Sequence, residues 1–370
     1  MKMRFAIMLS LALAAQCAFA GGAESIRQLL NSRAAGSVRT YEAAAAEVAA
    51  EAEKGHPLQQ FIIATISRDH MAPPAARISE EKREEYFSAS RDKIRALAEK
   101  RGNSLAWYLL SLESNDRKLL RRAVEGENVQ ALNAWGTLQL RETLLRPGID
   151  TNGVFKIMEK ARECFEKAAA QKDSNGLYNL GMCFLNGYGC AVDQEKALEY
   201  FKAAAKLDHP EAINNIGGFY RDGIVVEKDD FLATRQFARS AEMGNAYGEL
   251  NYGLALQRGE GVAKDEKRAV ELFKSAAQQG NAEAMNAYGM CLFNGTGAEK
   301  DAVAAVAWYR RSAARGFPPA MENLAVCYEA GAGGLEKSFG EGTVWKMRAR
   351  AAKGDRNAAV WLSQNGHSLR

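Results

Sequence analysis

The sequence predicts an all-α protein built from stacked helix-turn-helix repeats, and three observations carry that prediction. A pair of residues recurs at a step of 36: Leu180-Gly181, Ile216-Gly217, Tyr252-Gly253 and Tyr288-Gly289, continued by Leu324-Ala325. A turn glycine moves in the same register, at Gly189, Gly261, Gly297 and Gly333, with Val225 as the break in the column. Two further columns keep step, one small (Ala161, Ala197, Ala233, Ala269, Ala305) and one large (Phe165, Phe201, Phe237, Phe273, Tyr309, Trp345). A period of this length belongs to helical solenoids, whose units cannot bury an apolar face alone and stack on their neighbours. Alternating small and large columns fit such stacking, because a large knob needs a small hole opposite it.

Taken in order, the chain opens with Lys2 and Arg4, an apolar run from Phe5 to Ala15, and Ala18-Phe19-Ala20 before Gly21-Gly22. This is the form of a secretory signal peptide, residues 1–20, cleaved after Ala20. Gln16 is bulky and polar where a lipidation motif before Cys17 needs a small residue. The run is well short of the roughly 20 apolar residues of a spanning helix. The mature chain is therefore expected to be exported without membrane insertion, to the periplasm or the medium.

Residues 21–128 read as divergent helical hairpins, with an Ala-rich stretch from Tyr41 to Lys54 and a charged one from Glu80 to Arg101, parted by Ala72-Pro73-Pro74. Residues 129–355 hold the repeats. Trp135-Gly136 starts a degenerate unit 45 residues before Leu180-Gly181, its extra length falling near Arg146-Pro147-Gly148, and five regular units follow. Residues 356–370 supply a C-terminal capping helix and tail.

Within one unit, a first helix from Ser174 to Asn186 is apolar at Leu177, Leu180, Cys183 and Phe184, the spacing of one buried face. A Gly187-Tyr188-Gly189 turn leads to a second helix from Gln194 to Leu207. Glycine supplies the positive φ that ends the first helix, and Asp193, Asp229, Asp265 and Asp301 recur as N-caps of the second.

Leu180-Gly181, Phe184, Gly187-Tyr188-Gly189, Asp193, Lys196-Ala197, Tyr200-Phe201 and Ala204-Ala205 together resemble the Sel1-like repeat over roughly Gly176 to Asp355. The resemblance implies a right-handed α-solenoid of tetratricopeptide type and a role in scaffolding protein complexes. One exported, cysteine-rich branch of the family carries a bridge in each repeat, with penicillin binding or β-lactamase activity. Its bridging cysteines would fall at Ala205 and Ile213, so the cell-wall-related activity is the alternative reading rather than the main one.

Composition narrows the function classes. Basic residues number 49 against 45 acidic, a formal +4, and two of the basic residues lie in the leader, so no broad field steers nucleic acid. The densest basic cluster, Arg117-Lys118 with Arg121-Arg122, reads as a solvated helix face. Export permits disulfides. Of Cys164, Cys183, Cys190, Cys291 and Cys327, three share one repeat register (Cys183, Cys291, Cys327) and read as core, while Cys183 and Cys190 are the one pair placed for a bridge.

Chemistry is sparse. His56, His70, His209 and His367 form no metal pattern. Ser79 to Lys82 and Ser90 to Lys93 match S-x-x-K, but no K-T-G follows and no strand precedes the Gly-x-Gly turns. No catalytic residue, cofactor or metal is expected. A polar column on the first helices remains: Asn179, Asn215, Asn251 and Asn323, with Ala287 interrupting beside Asn286. Such amides can hydrogen-bond the backbone of an extended peptide along a concave face, or tie adjacent repeats together. The sequence therefore reads as an exported, non-enzymatic scaffold with a protein or peptide partner.

Overall fold

The computed structural model describes residues 38–67, 76–145 and 150–368. The leader, Cys17, Ala72-Pro73-Pro74 and Arg146-Pro147-Gly148 lie outside these residues. The described residues form 18 helices and no strand. The chain divides between Glu227 and Lys228 into two compact units.

The first unit contains α1 (Val38–Glu53), α2 (Pro57–Ile66), α3 (Glu80–Arg101), α4 (Ser104–Ser114), α5 (Arg117–Glu125), α6 (Val129–Leu145), α7 (Thr151–Ala170), α8 (Ser174–Asn186), α9 (Gln194–Ala205) and α10 (Pro210–Asp222). Its N-terminal helices close on a core in which Phe61 and Phe87 meet edge to face at 5.2 Å, with Ile62, Ile63 and Tyr108 buried around them. The helix junctions are set locally. Gly102 ends α3 in the left-handed region, and the Asn103 side chain then accepts the Ala106 N–H to start α4.

The second unit contains α11 (Asp230–Glu242), α12 (Ala246–Arg258), α13 (Glu266–Gln278), α14 (Ala282–Asn294), α15 (Ala302–Ala314), α16 (Pro318–Ala330), α17 (Phe339–Ala352) and α18 (Arg356–Gln364). Consecutive helices pack on one another within each unit.

The four aspartates do cap the second helices. Asp193, Asp229, Asp265 and Asp301 each accept the N–H three residues on, from Lys196, Leu232, Arg268 and Ala304, at 2.8–3.0 Å. The aromatic column is core as expected: Phe165, Phe201, Phe237, Phe273 and Tyr309 are buried, and Trp345 is partly so. Each glycine opposite makes room for a ring. A Cβ on Gly136, Gly181, Gly253 or Gly289 would stand 2.6–2.8 Å from the ring of Phe165, Phe201, Phe273 or Tyr309. No carbon atom fits there, so helix pairs approach at a distance only glycine allows. The degenerate unit keeps this contact because its two helices, α6 at 17 residues and α7 at 20, absorb the extra residues between them.

The turn glycines press backbone to backbone on the preceding repeat. A Cβ on Gly261 would lie 2.0 Å from the Asp230 carbonyl oxygen, and one on Gly297 2.2 Å from that of Glu266. Val225 holds the same left-handed backbone, with φ at 65°, without glycine's freedom.

Candidate functional site

The first helices of the repeats carry the polar column, and the structure leaves Asn179, Asn215, Asn251 and Asn323 half-buried. Their amides do not stand alone. Asn179 Nδ2 donates to Asn133 Oδ1 at 3.2 Å, and Asn133 Nδ2 donates in turn to the Val129 carbonyl and to Asp173. In the second unit Asn323 Nδ2 donates to Asn286 Oδ1 at 2.8 Å. Asn215 Nδ2 points at Met182 Sδ, 3.6 Å away, and Asn251 has a polar partner of its own.

These contacts link neighbouring repeats and leave capacity unused. Asparagine has two N–H donors and a carbonyl acceptor, and the bonds made by Asn179, Asn215 and Asn323 each use one donor. A carbonyl oxygen and a second N–H therefore remain at the surface edge of each amide. One turn further along the same helices lie Met182, Leu254, Met290 and Val326, of which Met290 is 45% and Val326 54% exposed. Within each unit the first helices thus set amides beside apolar side chains.

Gly218 occupies that apolar column on α10, and a Cβ built there meets nothing within 4 Å. Glycine in the middle of a helix costs about 1 kcal/mol relative to alanine. Gly136, Gly181, Gly248, Gly253 and Gly289 offset that cost with a close internal neighbour; Gly218 does not. Sequence reasoning missed this residue, because a second glycine beside Gly217 reads as repeat punctuation.

The remaining polar centre of the first unit is His209, which caps α10. It replaces the Asp and Asn that do this work at Asp173, Asn245 and Asn281. The ring is buried, stacked on Tyr178 at 4.5 Å; Nδ1 accepts the Ala212 N–H at 3.4 Å and Nε2 faces Asn175 Oδ1 at 3.3 Å. Burial pushes the imidazole down to about 3. Glu211 Oε2, 3.4 Å from Nδ1, has no hydrogen-bond partner, and burial pushes its carboxyl up to about 8. Neutral forms of both groups suit this site.

The sequence motifs with catalytic overtones are absorbed by structure. Ser79 Oγ caps α3 by accepting the Lys82 N–H, and the Lys82 ammonium pairs with Glu53 at 3.1 Å. The Glu53 hydrogen bond raises the lysine pKa, opposite to what a general base needs. Ser90 Oγ donates to the Tyr86 carbonyl inside the core. No group of metal-ligating side chains forms among the described residues.

Cys183, Cys291 and Cys327 are buried, as their shared register predicts. Burial pushes the Cys183 thiol up to about 12 and that of Cys291 to about 11. The structure holds Cys183 and Cys190 as thiols rather than as the bridge their spacing allows. Cys183 points into the core, while Cys190 Sγ turns onto the Cys183 carbonyl oxygen at 3.5 Å. Among the described residues no helix is long and apolar enough to cross a membrane.

An all-helical chain of stacked hairpins with glycine and aromatic columns is an α-solenoid repeat protein. The Sel1 repeat profile matches residues 147–173, 174–209, 210–245, 246–281, 282–317 and 318–345, more than half of the chain, which belongs to this family. The chain is similar to a Sel1 repeat protein from Oxalobacter formigenes, at 27% identity over 70% of this chain and 95% of that one, with a TM-score of 0.52. It is also similar in fold to a protective antigen of uropathogenic Escherichia coli displaying an SLR fold, at 23% identity over 85% of this chain and 65% of that one, with a TM-score of 0.51. No curated protein matches the chain.

Proposed function

We propose that the protein is an exported, non-enzymatic scaffold that binds an extended segment of a protein partner on the face lined by the first helices. The observation that carries this reading is the half-buried amides with unused donors and acceptors, Asn179 and Asn215 in the first unit and Asn323 in the second, with Gly218 interrupting the apolar column one turn on from Asn215. An extended backbone offers donors and acceptors that such amides can meet without reading side chains. The missing side chain at Gly218 lets a main chain come close. Asn251 lies in the same column and has a polar partner of its own.

Peptides selected from a displayed random library on the full mature chain supply the probe. Replacing Asn179, Asn215 and Asn251 together by Ala should weaken their binding by about 1–3 kcal/mol, since each hydrogen bond contributes roughly 0.5–1.5 kcal/mol net. Loss of folded stability should stay near the roughly 1 kcal/mol of the Asn179 to Asn133 bond. A variant that unfolds more readily while its folded fraction binds normally would make the amides struts alone. Export rests on the leader: N-terminal sequencing of protein from periplasm or medium should begin at Gly21, and retention of the uncut chain in the cytoplasm would contradict it. The non-enzymatic reading predicts no nitrocefin turnover; saturable turnover would replace it with the cell-wall alternative.

A further inference from the structure

Helix α5 presents four basic residues to solvent: Arg117, Lys118, Arg121 and Arg122. The structure gives two of them a setting that a solvated face does not require. The Arg122 guanidinium lies over Trp107 of α4 at 4.8 Å, and that of Arg121 over Trp135 of α6 at 6.0 Å. Three consecutive helices thus build one surface, Trp107, Arg122, Arg121 and Trp135 in order across it. Among the described residues neither arginine, nor Lys118, has a carboxylate partner, although Glu125 stands three and four residues further along the same helix.

These cation–π contacts place each guanidinium over an aromatic face, the Arg122 contact being the tighter, and leave N–H groups to solvent. An arginine held this way loses little rotamer freedom on binding, so a carboxylate meets a pre-organised fork. The surface already accepts one such group: Glu142 of α6 pairs with Arg117. Nucleic acid suits it less well. Both indoles are covered by guanidinium groups, which leaves no open ring for a base to stack on. The acidic residues Glu125, Glu127 and Glu142 interrupt the basic track that a phosphate backbone would follow.

We propose that this α4–α5–α6 surface is a second docking site, which takes an acidic peptide segment of a protein partner. Arg121 and Arg122 receive its carboxylates, and Lys118 adds a third positive charge. The site shares α6 with Asn133, the partner of Asn179, but uses none of the amide side chains described above, so its test is separate from theirs.

The test uses the full mature chain and a labelled synthetic peptide alternating Glu and Ser, with a Gln-Ser peptide and single-stranded RNA of equal length as comparators. The Glu-Ser peptide should bind at least about tenfold more tightly than the Gln-Ser peptide, with affinity falling as salt rises. Arg121→Glu with Arg122→Glu should lower that affinity more than about tenfold. Arg121→Lys with Arg122→Lys, which keeps the charge and loses the fork, should lower it by a smaller factor. Lys118→Glu, which touches no indole, should weaken binding in a chain that folds as the parent does. Equal affinity for the Glu and Gln peptides, affinity unmoved by the Lys118 and arginine charge reversals, or tighter binding of RNA than of the Glu-Ser peptide would each overturn the proposal.

Discussion

Residues 38–145 and the repeats from Ser174 onward are both helical hairpins, yet they fill their interiors by different rules. In the repeats buried rings face glycines, as Phe201 faces Gly181, Phe273 faces Gly253 and Tyr309 faces Gly289, and the same contact recurs from unit to unit. The N-terminal helices pack large side chains against one another, Phe61 on Phe87 among Ile62, Ile63 and Tyr108. Among the described residues, the end of this region and the first helix of the degenerate unit also bury polar atoms without a hydrogen-bond partner: Nδ2 of Asn128 and both amide atoms of Gln130. From Ser174 to Ala352 the only such side-chain atom among the described residues is Glu211 Oε2. A contact that is copied must be satisfied in every copy, since any defect would be multiplied along the array. A core that occurs once can carry a local cost of about 1–3 kcal/mol.

Four substitutions break or sharpen this contrast. Gly289→Leu should have the largest effect. Its side chain would enter the buried ring of Tyr309 at 2.7 Å, with the Ala305 carbonyl oxygen just behind, and overpacking should cost about 3 kcal/mol. Urea unfolding with an unchanged midpoint would remove the glycine column from the core.

His209→Asn comes next, because it restores the cap used at Asn245 and Asn281. Burial holds the folded imidazole down at about 3 against its ordinary 6.5, so the unfolded chain binds the extra proton and stability is lost as pH falls through that window. Glu211, raised to about 8 from 4.5, has the opposite sign: its contribution is lost as pH rises from 4.5 through 8. Between pH 6.5 and 4.5 the two oppose each other in the parent, and the variant keeps only the glutamate. The variant should therefore gain about 1–3 kcal/mol relative to the parent across that interval. Parallel stability curves would show that His209 is charged or wet in the folded protein.

Gln130→Met should stabilise the packing of α6 by about 1–2 kcal/mol, by removing two buried polar atoms without a partner among the described residues at similar shape. Denaturation at or below the parent midpoint would mean that the amide has a partner in solution. The smallest of the four, Val225→Gly, should stabilise by about 1 kcal/mol, because a β-branched residue at φ 65° is strained where the other repeats use glycine. A loss instead would mean that the exposed valine packs usefully at its turn.

Most of the repeat fold was legible because each feature occurs several times in one register. Five alanines or six aromatic residues at equal spacing identify a core column, and four aspartates identify a cap. The N-terminal core was not legible beyond its helical character, because Phe61 and Phe87 meet through a pairing that no spacing encodes. The asparagine column could be read, but its partners could not. Asn133 precedes the regular units, and Asn286 sits one position out of register, so both pairings depend on how neighbouring helices lie. His209 was passed over as a metal ligand and not recognised as a cap, since imidazole is a rare stand-in for the usual Asp or Asn. The placement of Arg121 and Arg122 over Trp135 and Trp107 likewise joins helices whose proximity the sequence does not state.

The central functional claim is that the first-helix face receives an extended main chain, and Gly218→Ala tests it most directly. A methyl group there meets nothing within 4 Å of the folded protein. Helix propensity then predicts a gain of about 0.5–1 kcal/mol in stability by urea unfolding. If a peptide backbone approaches this position, the same methyl group should obstruct it and lower the affinity of the library-selected peptides about tenfold or more. A variant that is more stable and binds less well is the predicted result. A variant that is more stable and binds those peptides as tightly as the parent would contradict the claim.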